Sequence, residues 1–155
     1  MTGMDWKRGA IAGLVAGLVF VIVEMMLVPT VGGGEMWGPP RMMAAIALGK
    51  GVLPPPATFD AGIVMAGMAV HFVLSAVLGV IYAAIANALK LSAAMSLIVG
   101  AVFGLVVYLV NFYGSTALFP WFAMARTPIT LFSHLVFGAV LGWMLRARPV
   151  AAVQV

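Results

Sequence analysis

The stretch His71-Phe-Val-Leu-Ser75-Ala-Val-Leu-Gly79 returns 63 positions later as His134-Leu-Val-Phe-Gly138-Ala-Val-Leu-Gly142. Both copies place a histidine, a small residue and a glycine at four-residue intervals inside an apolar segment. They contain both histidines of the chain. A polar residue is costly in an apolar membrane segment, so its repetition marks a candidate site.

The segments that precede these two copies also correspond to each other. Three residues of the first segment have counterparts 87 positions later: Gly13, Gly17 and Glu24 correspond to Gly100, Gly104 and Asn111. Self-similarity of this kind indicates a repeated supersecondary unit. The sequence therefore predicts two tandem, similar helical hairpins, over residues 8–90 and 91–148, within a single membrane domain.

The composition is that of an integral membrane protein. Hydrophobic residues make up 65% of the chain, charged residues only 8%, and the mean hydropathy is +1.18. Soluble domains carry roughly 25% charged residues, which excludes that class. A helix needs about 20 apolar residues to cross a bilayer. Four segments are long enough, at residues 9–28, 62–86, 93–112 and 129–145, so we predict an all-α bundle of four transmembrane helices.

The basic residues predict the orientation of this bundle. One side of a four-helix topology carries Lys7, Arg8, Lys90, Arg146 and Arg148, and the other carries Arg41, Lys50 and Arg126. This bias predicts an inner (plasma) membrane protein with both termini in the cytoplasm. Trp6 and Trp143 would then anchor the cytoplasmic boundary, and Trp37, Trp121 and Phe122 the outer one. No clustered basic face suggests a nucleic-acid partner; the lipid bilayer explains the net charge of +4.

The two predicted hairpins differ in their outer links. The first carries 24 additional residues, and within them Pro39-Pro40-Arg-Met-Met-Ala-Ala-Ile-Ala-Leu-Gly49 has prolines at its start and glycine at its end. That arrangement is typical of a short helix. We expect this helix to lie at the outer membrane interface.

Small residues at four-residue spacing indicate where the helices pack. Such residues let helix backbones approach closely in lipid. The glycines of this kind form a predicted glycine zipper: Gly13, Gly17, Gly79, Gly100, Gly104, Gly138 and Gly142. Eleven residues make close to a whole number of helical turns, so Glu24 is expected on the same face as Gly13.

Four polar residues should converge in the outer half of the bundle. By face and depth these are Glu24, His71, Asn111 and His134, and the cluster is the predicted ligand site. Met68 and Ser75 lie beside His71 on its helix and are further candidates. The alternative is that each polar residue only hydrogen-bonds a neighbouring helix and fixes its register.

The chemistry of this cluster leaves several functions open. Two imidazoles from facing helices could ligate a haem b iron. Met65, Met68 and His71 follow at three-residue steps, and thioether with imidazole suits Cu(I). The identity of any cofactor or metal is not determined by these patterns.

No nucleophile elbow, phosphate-binding loop or zinc-protease pattern is present in the sequence, so we do not expect an enzyme. A small oligomeric transporter or channel is one alternative, and a haem- or copper-binding redox subunit is another. The main expectation is an accessory or structural subunit of a membrane complex or a homo-oligomer.

Overall fold

The computed structural model describes residues 5–146 and is helical throughout, with no strand in that range. Arg148, and with it the end of the predicted second hairpin, lies outside the described residues. Five α-helices follow one another along the chain: α1 (Trp6–Thr30), α2 (Gly38–Leu48), α3 (Ala61–Ala88), α4 (Ala93–Leu109) and α5 (Pro128–Leu145).

Four of these helices are long and apolar enough to cross a membrane. They are α1, α3, α5 and the continuous helical segment Ala93–Ala117 that contains α4. Large apolar side chains such as Ile11, Val73, Ile98 and Phe132 are exposed along them, as lipid-facing surfaces require. The prediction of an all-helical, multi-pass membrane protein is confirmed.

Each long helix begins at a side chain that satisfies a free backbone amide of the first turn. Asp5 accepts from Arg8 N at 3.0 Å, and Asp60 accepts from Ile63 N at 2.9 Å. Ser92 and Thr127 do the same for α4 and α5. These residue types are favoured at helix starts for this reason. Past Leu109, α4 continues into a π-helical turn, Val110–Gly114, and then a 3-10 turn, Ser115–Ala117.

The long helices pack in two close pairs, α1 with α3 and α4 with α5, and α1 also packs along α5. By contrast α3 and α4, although consecutive in sequence, meet at fewer points, among them the Tyr82 hydroxyl, which donates to Ser96 O. The core that α1, α3 and α5 share consists of the buried residues Ala12, Ala16, Tyr82, Phe137 and Leu141. The bundle is therefore closed on its α1–α5 side and more open between α3 and α4.

Glycines lie where the paired helices approach most closely. In the α1–α3 pair a Cβ atom at Gly13 would overlap the carbonyl of Ser75, and one at Gly79 would lie 2.7 Å from Gly13 Cα. In the α4–α5 pair a Cβ at Gly104 would overlap the carbonyl of His134. Gly17, Gly100, Gly138 and Gly142 occupy equally close contacts. All seven glycines of the predicted zipper thus lie at helix contacts within the chain.

One end of the bundle carries both longer links, residues 31–60 and 110–127, and we call it the loop end. There α2 packs on α3, because Gly67 leaves room for the backbone of Pro40 and Ala44. The 3-10 turn Pro120–Ala125 joins it, since Trp121 Nε1 donates to Met42 O at 3.1 Å. We call α2 and this turn together the cover.

The short helix exists as predicted, but two of the predicted interface anchors do not face outward. Trp121 and Phe122 are only 8% and 6% exposed, in an apolar cluster with Tyr108, Phe112 and Ala45. A side chain that anchors a membrane boundary must reach the head groups. The prediction was wrong for these two residues because the second link folds over the helix ends instead of extending along the membrane.

Candidate functional site

Two cavities lie beneath the cover. The first, of about 180 Å³, opens between α3 and α4, and we call it the histidine cavity. The second, of about 240 Å³, lies between α1, α2 and α5, and we call it the glutamate cavity. They share four wall residues, Phe20, Met43, Phe112 and Phe122.

His71 and Ser75 of α3 line the histidine cavity. His71 is 7% exposed, and its Nε2 lies 3.0 Å from the carbonyl oxygen of Gly17. Because a carbonyl can only accept, Nε2 carries the proton and donates it. The absence of a side chain at Gly17 is what lets the imidazole reach the backbone of α1. Ser75 Oγ lies 3.5 Å from the same nitrogen.

His134 of α5 and Asn111 of the π-helical turn line the same cavity. His134 Nδ1 donates to Thr130 O at 2.8 Å, one turn earlier in its own helix. That bond assigns the proton to Nδ1 and leaves Nε2 as an acceptor. Asn111 Nδ2 faces Nε2 at 3.5 Å. Each imidazole thus donates one N–H to a backbone carbonyl and has a free lone pair on its other nitrogen.

The two imidazoles lie close to each other. Phe20 packs against both, with ring centroids 5.3 Å from His71 and 4.8 Å from His134, so the imidazole centroids lie within about 10 Å. Among residues 5–146 no group of three or more His, Asp or Glu side chains could hold a metal ion. Met65 is 71% exposed, so it does not join Met68 and His71 in a Cu(I) site.

A haem does not fit this arrangement either. Cavities that hold drug-sized ligands measure about 300–1,000 Å³, and a haem macrocycle needs at least that space. The histidine cavity, at about 180 Å³, is smaller. Haem ligation by His71 and His134, one of the alternatives left open by the sequence, would therefore need a wider cavity than this one.

Glu24 lies in the glutamate cavity, beside two hydroxyl groups of α5. It is 5% exposed, and its Oε1 has no hydrogen-bond partner. The neighbouring hydroxyls are those of Thr130 and Ser133 on α5. Ser133 donates its proton to Ile129 O at 3.0 Å, and the Thr130 hydroxyl lies 3.0 Å from that of Thr127.

The face shared with Gly13 predicted only that Glu24 points into a helix contact, without naming the partner helix. In the structure Glu24 is buried, and the polar neighbours of its carboxyl are on α5. The reason is that α1 packs against α3 and α5 at once, and the carboxyl lies at the edge between these two contacts. Glu24 and His71 also line a common recess of about 30 Å³, together with Met68.

The structure therefore brings three of the four predicted residues into one cavity and places the fourth in the adjoining one. Several wall residues were not predicted as part of a site: Phe20, Glu35, Met43, Phe112 and Phe122. Phe20 precedes Glu24 by one helical turn, and that spacing could have indicated it. Glu35 lies in an irregular, glycine-rich link, where no periodicity assigns it to a cavity.

Comparison with known proteins adds no family to this description. No protein-family model, no curated protein and no solved structure matches the chain. The fold and the two cavities are therefore the observations that bear on function.

Proposed function

We propose that this protein is a small, non-enzymatic accessory or structural subunit of the inner (plasma) membrane. In this proposal it acts within a membrane complex or as a homo-oligomer, has both termini in the cytoplasm, and holds a small molecule beneath its cover. The observation that carries the proposal is the pair of adjoining cavities, whose walls include polar residues from all four long helices.

A tandem repeat is part of the same proposal. The Gly17–His71 contact between α1 and α3 has a counterpart in the Gly104–His134 contact between α4 and α5. The contact between Gly100 and Gly138 likewise corresponds to that between Gly13 and Ser75. This shared contact pattern supports descent from a duplicated pair of helices, with α2 as a later addition to the first copy.

The polar residues support a role in holding a small molecule, because their hydrogen bonds fix the helices that form the cavity walls. His71 and His134 each fix a backbone carbonyl, which keeps the cavity walls in place. Arg41, only 7% exposed, fixes α2 of the cover to the rest of the first link. It donates to Thr58 O at 2.9 Å and to Val52 O at 3.2 Å. Mostly apolar walls with a few fixed polar groups are typical of a binding site, and the volumes of about 180 and 240 Å³ suit molecules smaller than a drug-sized ligand.

Native mass spectrometry of protein purified in mild detergent tests this proposal. We expect an assembly of more than one chain and a bound small molecule. Ala125 lines the glutamate cavity, so Ala125→Phe should fill it and remove the bound mass. Ala123, which is exposed two residues earlier, supplies the control Ala123→Phe. A solitary chain that carries no extra mass would contradict the proposal.

A further inference from the structure

We propose that the glutamate cavity binds a small, hydrophobic organic cation, such as an aromatic quaternary ammonium compound, with Glu24 as its counter-charge. This inference rests on the proposed function, since it names the class of molecule held beneath the cover. It is carried by the carboxyl group, the charges around it and the chemistry of the walls.

One oxygen of the Glu24 carboxyl lacks a hydrogen bond. A buried polar atom without a hydrogen bond is costly, and a native protein retains one mainly where it has a use. Oε1 is such an atom, in a side chain that is 5% exposed and lines the cavity. The Ser133 hydroxyl donates its proton to Ile129 O instead of to this carboxyl. This oxygen therefore lacks a partner within the described residues 5–146, and a bound cation or donor would supply one.

Residues 5–146 do not supply that positive charge at the cavity. Two carboxylates, Glu24 and the exposed Glu35, line the glutamate cavity, and no lysine or arginine is among its described lining residues. The two arginines of the loop end are directed elsewhere. Arg41 holds carbonyls of the first link, and Arg126 donates to Phe112 O at 2.6 Å while its guanidinium lies over the Tyr113 ring. The described lining thus carries two acidic side chains and no basic one, so the positive charge that would balance an ionised Glu24 has to come with the ligand.

The walls favour an organic cation over a metal ion. Hard cations such as Ca²⁺ require six to eight oxygen ligands, and Mg²⁺ requires six in octahedral geometry. Apart from the acidic and hydroxyl side chains, the lining is apolar: Phe20, Val28, Met42, Met43, Phe112, Phe122 and Met124 among others. Aromatic rings attract cations through their faces, most strongly when the cation is desolvated. A charged group with an apolar body satisfies both the carboxyl and the walls.

Phenyltrimethylammonium and its neutral carbon isostere tert-butylbenzene make a matched pair of probes. Both have the same shape, so the difference between them measures the charge alone. We expect saturable binding of the cation to the full-length protein in detergent, measured by calorimetry, and much weaker binding of the isostere. Glu24→Gln keeps the size of the side chain and should weaken binding of the cation by about tenfold or more.

Asp5→Asn is the matched control. It removes one carboxylate from the opposite end of the same helix, and asparagine caps a helix as well as aspartate does. Binding should be unchanged in this variant, and Glu35→Gln should weaken it less than Glu24→Gln because Glu35 is exposed. Equal unfolding temperatures of the variants exclude misfolding as the cause.

Three outcomes would overturn the inference: no binding of the cation, equal binding of the isostere, or unchanged affinity in Glu24→Gln. These results are distinguishable from failure of the proposed function. A bound mass that Ala125→Phe removes, together with a Glu24→Gln variant that binds normally, would leave the holding role intact and show that the ligand is not a cation.

Discussion

Phe20 packs against His71 and His134 at once, at centroid distances of 5.3 Å and 4.8 Å, and so links the two halves of the bundle through a single apolar ring. The ring meets His134 edge-on, with an interplanar angle of 88°. The repeated histidines are therefore part of an aromatic cluster around Phe20, and their remaining nitrogens face a cavity too small for a macrocycle.

The first prediction concerns cofactors. We expect protein purified in mild detergent to show no Soret band and to bind no haem in a titration, because the histidine cavity measures only about 180 Å³. The measurement is a visible absorption spectrum of the wild type beside a His71→Ala, His134→Ala double variant. A low-spin haem spectrum that disappears in the double variant would show that Phe20 can move aside.

The second prediction concerns the close helix contacts. A methyl group at Gly104 would overlap the carbonyl of His134, and Gly104→Ala should therefore destabilise the protein by about 1–3 kcal/mol. Thermal unfolding in detergent measures this change. Gly114→Ala is the control, since a Cβ there meets no atom within 4 Å. Equal stability of both variants would mean that α4 and α5 pack less closely than described.

The third prediction concerns the buried guanidinium of Arg41. Arg41→Lys keeps the charge, but an ammonium cannot reproduce the fork that reaches Val52 O, Thr58 O and the Thr58 hydroxyl together. We expect a loss of about 1.5–3 kcal/mol in the free energy of unfolding. Lys50→Arg, at an exposed position, should have little effect. A fully stable Arg41→Lys protein would show that these bonds do not hold the first link.

The fourth prediction concerns the attachment between the two links. Trp121→Phe keeps an aromatic ring but removes the hydrogen bond to Met42 O, so we expect a loss of about 1 kcal/mol. Hydrogen exchange should become faster in α2, while the middle of α3 stays protected. Trp143→Phe is a suitable control because Trp143 is 54% exposed. Unchanged exchange in α2 would indicate that the cover is held by its contacts with α3 alone.

The fifth prediction concerns the cost of the unpartnered carboxyl. Glu24→Met replaces it with an apolar side chain of similar length, and the unliganded protein should gain about 1–3 kcal/mol of stability. Thermal unfolding without added ligand measures the gain. A loss of stability would show that Glu24 has a hydrogen-bond partner after all, and it would weaken the argument for a cationic ligand.

Periodicity and composition were sufficient for the main elements of the fold. The four long helices begin and end within about five residues of the predicted segments, and the helix between Pro39 and Gly49 was recognised from its end residues. These features depend on local sequence alone, since apolar length determines a membrane span and proline and glycine mark helix ends.

The composition of the site could be predicted only in part. His71, Asn111 and His134 share a cavity, as their faces and depths suggested, but Glu24 lies in the adjoining one. The helical face of a residue indicates the direction of its side chain. Which helix the side chain meets in that direction depends on tertiary packing. The role of Trp121 was missed for a similar reason, because irregular links carry no periodic signal of what they cover.

The packing of α1 along α5 has a consequence for how the protein is made. Arg8 Nη2 donates to Met144 O at 2.8 Å, across 136 positions of sequence, and the hydroxyls beside Glu24 also belong to α5. Chains emerge from the ribosome N-terminus first, so Glu24 enters the bilayer long before Thr130 and Ser133 are synthesised. The glutamate cavity is therefore among the last features to assemble. A stalled or truncated chain that lacks its final helix would leave this carboxyl without its α5 neighbours, a defect that membrane quality control could recognise.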